Sequence, residues 1–133
     1  MIFIDSNIPM YLVGKPHPHK TEAQVLLERM VALKQRLVTD VEVLQEILHR
    51  YVAINRRDAI APAMKVTLDL VDDVFPVERA DVLRAGEIVQ NRALFSARDA
   101  VHIAIMERYG IDSIMSFDAD FDRWPGLKRI HRI

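Results

Sequence analysis

Met1-Ile2-Phe3-Ile4-Asp5-Ser6-Asn7 opens the chain with a compact apolar run that ends on an acid. Four residues of this kind, stopped by polar side chains, read as a buried strand rather than the start of a helix. Leu37-Val38-Thr39 has the length of a second strand, and Val74-Phe75-Pro76-Val77 reads as an edge strand, because Pro76 has no N–H for a central ladder. Ile114-Met115-Ser116-Phe117 supplies a fourth. Arg129 to Ile133 supplies a fifth, anchored by Ile130 and Ile133.

Helical spacing fills the intervals. Pro9 to Gly14 suggests a short helix or turn. Thr21-Glu22-Ala23-Gln24 has capping-box spacing ahead of Leu26, Leu27, Met30 and Leu33, and Thr39-x-x-Glu42 has it ahead of Val43, Leu44, Ile47, Leu48 and Tyr51. Asp58 is positioned to cap a third long helix through about Leu70, and Asp81 to Arg92 forms another. Ser96 opens one that runs to about Tyr109, with Gly110 as its C′ residue. Strand–helix alternation of this kind predicts an α/β fold with a central, mostly parallel sheet of about five strands and helices on both faces. In such sheets, sites form at the carboxyl ends of the strands, near the point where strand order reverses.

The 133 residues fit one domain, 1–133, and no linker or repeat divides them. Half are apolar and the net charge is −1, which excludes a disordered chain and a strongly basic nucleic-acid coat. Cysteine is absent, so disulfide scaffolds, thiolate zinc sites and Cys nucleophiles are excluded together. No apolar run exceeds four residues and the N-terminus lacks a basic n-region, so the expectation is a cytoplasmic protein with no membrane segment.

The strand-end rule singles out acids. Asp5 ends the first strand and Asp118 follows the fourth. Glu46 lies one turn into the helix after the second strand, and Asp99 starts the helix before the fourth. Carboxylates brought together repel, and hard cations such as Mg²⁺ or Mn²⁺ take oxygen ligands. Taken singly, each acid also has an ordinary structural explanation: Asp5 as a strand terminus or cap, Glu46 on a solvated helix face, Asp99 at the third position of a capping box, and Asp118, Asp120 and Asp122 in a polar turn.

The words around these acids carry a resemblance. Ile2-Phe3-Ile4-Asp5-Ser6-Asn7, Leu44-Gln45-Glu46-Ile47-Leu48, Ala97-Arg98-Asp99-Ala100-Val101-His102-Ile103-Ala104 and Ser116-Phe117-Asp118-Ala119-Asp120-Phe121 resemble, in order, the four signature segments of PIN-domain ribonucleases, across essentially the whole chain. A chain of this size is most similar to the VapC toxins of toxin–antitoxin pairs. The resemblance implies a three-layer α/β/α fold and an Mg²⁺- or Mn²⁺-dependent endoribonuclease. It makes Asp5 and Asp99 the principal metal ligands, with Glu46 and Asp118 completing the catalytic pocket and Asp120 the reserve for the last position. Ser6, Asn7, Thr39 and Ser116 match small polar positions that orient ligands or water. It further implies an RNA substrate, a VapB-like antitoxin as partner and a homodimer.

Charge is unevenly distributed. Residues 47–57 carry +3 from Arg50, Arg56 and Arg57, and residues 121–133 carry +3 with Arg123 and Lys128 among their cations. Both segments are candidates for RNA phosphates, or for an antitoxin's acidic segment. Trp124 reads as a packing residue beneath Pro125-Gly126. Of the five histidines, none suggests a nucleophilic triad. His102, three residues after Asp99, is the one histidine to watch, although such a residue more often serves at a helix surface or in packing. Two other functions compete. A haloacid-dehalogenase-type aspartyl phosphatase would need an acid two residues after Asp5, where Asn7 stands. A non-catalytic PIN-like RNA-binding or scaffolding module would have lost some of the four acids.

Overall fold

A computed structural model describes residues 1–132, so Ile133, one of the two anchors expected for the last strand, lies outside the described residues. Five strands form one sheet in the order β3-β2-β1-β4-β5: β1 (Ile2–Ile4), β2 (Leu37–Asp40), β3 (Asp73–Phe75), β4 (Ser113–Met115) and β5 (Lys128–Ile130). All four pairings are parallel. The strands are short because a buried parallel strand must be apolar on both faces, and each run ends where polar residues begin. β3 stops before Pro76 at the sheet edge, as the missing N–H requires.

Side-chain alternation sorts the core into two layers. Ile2, Ile4, Leu37 and Met115 point to the face covered by α1 (Asn7–Val13) and α2 (Pro18–Ala32), against Ile8, Ala23, Leu26 and Leu27. Phe3, Val38 and Ile114 point to the other face, against Val43, Ile47 and Tyr51 of α3 (Val41–Ala53), Ala63 of α4 (Ile60–Leu70), Ile88 of α5 (Arg79–Asn91) and Ile103 of α6 (Ala97–Tyr109). The result is the three-layer α/β/α arrangement.

Several helix starts differ from the sequence expectation, each for a local reason. α2 begins a turn before Thr21, at Pro18, whose fixed φ suits the first helical position, and the His17 imidazole caps it by accepting the His19 N–H at 3.0 Å. α3 is capped by Asp40, not Thr39: the Asp40 carboxylate accepts the Val43 N–H at 2.9 Å, while the Thr39 hydroxyl donates to the Ile4 carbonyl at 2.8 Å and ties β2 to β1. Asp58 caps nothing long, because it lies in a 3-10 turn (Arg57–Ala59) and pairs with Arg56. α5 starts at Arg79 through a capping box between Glu78 and Asp81. α6 matches expectation, with Ser96 accepting the Asp99 N–H at 3.1 Å and Gly110 at φ 66° ending the helix.

Strand order places the site. The chain winds outward from β1 through β2 to β3, then crosses to the far side of β1 for β4 and β5. β1 and β4 therefore flank the point of reversal, where the loops leave in opposite directions and open a crevice at the carboxyl edge. Asp5 and Ser116 are the residues that follow those two strands.

Candidate active site

Asp5 sits on the floor of the crevice, 4% exposed, and its carboxylate orientation is fully determined. Oδ1 accepts the Ser6 N–H at 2.8 Å, and Oδ2 accepts the Ser116 hydroxyl at 2.5 Å and the Asn7 amide at 3.3 Å. Asn7 also contacts the Ser116 hydroxyl at 3.2 Å and accepts the Phe117 N–H at 3.3 Å, so its amide joins the turn after β1 to the turn after β4. An amide so committed leaves no acid where a phosphatase of the dehalogenase type would carry its proton donor.

Glu46 enters from α3 through a chain of bonds that sequence reasoning missed. His102, fully buried rather than at the helix surface, bridges Asp40 at 2.7 Å through Nδ1 and Glu46 at 2.5 Å through Nε2. The second oxygen of Glu46 accepts the Ser6 hydroxyl at 2.9 Å. Burial works against a charged imidazole, yet the carboxylates of Asp40 and Glu46 hold it charged well above its ordinary pH range. Burial likewise pushes Glu46 up, but its hydrogen bonds from His102 and Ser6 leave it below the ordinary value. Both ring nitrogens are engaged by carboxylates, which commits the imidazole to the Asp40–Glu46 bridge although it lies beside Asp5 and Glu46. A legible signal existed: His102 lies one turn after Asp99 on the same helix face.

Asp99 and Asp118 belong to a second group of acids, near enough for the charges of Asp5 and Glu46 to act on Asp99. Oxygens of Asp99, Asp118 and Asp120 come within 4.8 Å of one another. No side-chain hydrogen bond to the Asp99 carboxylate occurs among the described residues, and burial first, then the charges of Asp5 and Asp118, raise it to about 7. Asp5 is raised to about 6, chiefly by burial, despite its three donors. Asp118 caps a 3-10 turn (Ala119–Arg123) by accepting the Asp120 N–H at 2.9 Å, while Asp120 also pairs with Arg123 at 2.9 Å. The donors are carboxylate oxygens under mutual repulsion, a set that fits a hard divalent cation and neutralises poorly without one.

The expected cations divide. Arg50, one turn beyond Glu46, borders the pocket. Arg56 and Arg57 are exposed at the far end of α3, with Arg56 paired to Asp58. Lys128 begins β5 on the opposite edge of the sheet from the acids. Arg98, which was not singled out, borders the pocket from α6. Trp124 packs against Phe95 with Arg92 over its ring.

Residues 2–127 match the PIN domain family model. The chain belongs to the PIN-domain family. Within it, the chain is 56% identical over 130 residues to the ribonuclease VapC13 of Mycobacterium tuberculosis, covering 98% of this chain and 99% of that one. Its PIN fold superposes on M. tuberculosis VapC20, described as a sarcin–ricin loop cleaving toxin, with a TM-score of 0.77 at 23% identity over 96% of this chain and 99% of VapC20. It also superposes on VapBC2 from Rickettsia felis bound to promoter DNA, with a TM-score of 0.75 at 16% identity over the whole of both chains. No helix among the described residues is long and apolar enough to cross a membrane.

Proposed function

We propose that this protein is a VapC-type toxin: a cytoplasmic, single-domain endoribonuclease that hydrolyses RNA at the Asp5, Glu46, Asp99 and Asp118 pocket with Mg²⁺ or Mn²⁺. The observation that carries this reading is the convergence of four carboxylates from four separate segments at the strand-order reversal, two of them raised to about 6 and about 7. No packing or capping role requires all four to meet.

Asp5 and Asp99 hold the cation, with Glu46 and Asp118 beside them and Asp120 at the rim. When bound, a divalent cation supplies Lewis-acid polarisation of a phosphoryl oxygen and lowers the pKa of water. The rest is the work of the chain. Ser116, Asn7 and the Ser6 N–H fix the plane of Asp5, and His102 with Ser6 fixes Glu46. Thr39 holds β2 and β1 in register behind them. Asp118 has one oxygen free of the turn it caps, placed to orient water or accept its proton at the mouth of the pocket.

The partner under this reading is a VapB-like antitoxin that covers the acids, where a cationic side chain would meet four carboxylates. The protein is proposed to act as a homodimer. Exposed apolar residues on α3, Val41, Leu48 and Val52, offer one face for it. Expression in a bacterial host tests the reading: the wild type slows growth, Asp5→Ala does not, and co-expression of the neighbouring reading frame restores growth. Equal harmlessness of the wild type and Asp5→Ala would contradict the toxin assignment.

A further inference from the structure

The acid pocket continues sideways into a cavity of about 430 Å³, within the size range of small-ligand sites (roughly 300–1,000 Å³). Ser6, Asn7 and Glu46 belong to both, so this space opens directly onto the acids. Its far walls are of two kinds. Met10, Tyr11 and Ile54 are apolar or aromatic, and Arg50 and Arg98 are cationic.

The two arginines differ from those already held in close ion pairs. Arg56, Arg84, Arg108, Arg123 and Arg129 are each committed to a carboxylate at 3.2 Å or less. Arg50 has no ion-pair partner among the described residues, and Arg98 has only a loose one, Glu42 at 3.9 Å. Arg50 follows Glu46 by four residues on α3, so its guanidinium and that carboxylate share one helix face.

Tyr11 is braced from behind. Its ring lies 5.5 Å from Phe117, 4.9 Å from His17 and 5.1 Å from His19, and His19 stacks on Phe117 at 4.1 Å. Phe117 in turn is bonded through its N–H to Asn7. The ring is therefore held at a fixed offset from Asp5 by the turns that hold the carboxylate. A fixed aromatic wall beside two uncommitted guanidinium groups matches a nucleotide, which presents a flat base and an anion at constant separation. An acidic peptide would offer the anion without the base, and would meet Glu46 at the entrance.

We propose that this cavity is the subsite for the nucleotide adjoining the scissile phosphate: Arg50 and Arg98 hold its phosphate, and Tyr11, with Met10 and Ile54, takes its unpaired base. The inference rests on the ribonuclease reading and adds to it the residues that hold one nucleotide beside the acids.

The test uses a short unstructured RNA labelled at its 5′ end. Binding is read by anisotropy in the Asp99→Asn background, and cleavage is read as KM and kcat in the otherwise native chain. Arg50→Gln and Tyr11→Leu are each expected to weaken binding and raise KM by about 5- to 30-fold, a loss typical of one phosphate contact or one stacked base, with kcat falling far less. Arg50→Gln also lowers the salt dependence of binding, and Tyr11→Phe recovers most of the affinity lost in Tyr11→Leu. Unchanged affinity in both variants, with the wild type still cleaving, overturns the subsite and leaves the ribonuclease reading intact. Weakened binding in both variants, with no cleavage by the wild type in any metal, leaves a nucleotide-binding cavity but removes the ribonuclease reading and with it the place beside a scissile phosphate. Variants that bind RNA normally but lose a co-expressed protein partner assign the cavity to that partner and overturn the proposal.

Discussion

Replacing Asp99 by Asn should stabilise the metal-free protein while abolishing its response to metal. Asp99 is the acid whose carboxylate lacks a hydrogen-bond donor among the described residues, so the isosteric amide gives up no bond, and the Ser96 cap uses only its backbone N–H. What the amide removes is a charge that burial, Asp5 and Asp118 all disfavour. A carboxyl that titrates near 3.8 unfolded and about 7 folded disfavours the native state by up to about 4 kcal/mol at high pH. Asp99 is only half-buried, so solvent screens part of this. Its negative charge also favours the α6 N-terminus by about 0.5 kcal/mol, which the amide loses. The net gain is about 1–2 kcal/mol, or roughly 5 °C in Tm for a chain of this size. The sign follows from protonation: folding raises this pKa, so the penalty is absent below about pH 4 and fully present above about pH 7. The assay is thermal unfolding in EDTA of the wild type and Asp99→Asn across that range, repeated with Mn²⁺. The variant should lead in EDTA at neutral pH, converge with the wild type in acid, and lose its lead when Mn²⁺ stabilises only the wild type. A variant less stable than the wild type in EDTA at neutral pH would mean that the Asp99 charge does not strain the metal-free fold.

Other consequences can be measured directly. His102→Ala leaves Asp40 and Glu46 facing an empty space and should cost about 3–5 kcal/mol in urea unfolding, with a larger fractional loss of kcat than of substrate affinity. Metal affinity should climb as pH rises from about 5.5 to 7.5, because Asp5 and Asp99 must shed protons to ligate; calorimetric titration with Mn²⁺ would show it, and a flat profile would count against both ligands. Asp81 holds the Glu78 N–H at the start of α5 and pairs with Arg108 of α6 at 2.8 Å, so Asp81→Ala should destabilise by about 2–4 kcal/mol yet leave the cleavage rate per folded molecule unchanged.

The acids were legible in the sequence because strand ends are legible: a run such as Ile2-Phe3-Ile4 stops at Asp5, and the parallel-sheet rule says where that end points. The helix containing Asp99 was equally clear, since Ser96 and Gly110 mark its two ends. Capping boxes elsewhere misled. Thr39 and Asp40 are adjacent and both can cap, and only the sheet register decides that Thr39 faces the Ile4 carbonyl and Asp40 the helix. The Asp40–His102–Glu46 chain was hidden for a stronger reason. Its members lie 62 and 56 residues apart, and a lone histidine shows its two carboxylate partners only after α3 and α6 have packed. Charge sums were blind in a similar way, because Arg56 and Arg123 are already neutralised by near neighbours while Arg50 and Arg98 are not.

Cutting of RNA by four converging carboxylates and a divalent metal can be measured directly. Its most direct test takes metal-stripped protein and total RNA, adds Mg²⁺ or Mn²⁺, and maps new 5′ ends beside an Asp99→Asn control. Discrete cleavage sites that need both the metal and Asp99 are expected; cleavage that persists in EDTA, or that Asp99→Asn reproduces, would show that these acids do not cut RNA with a metal.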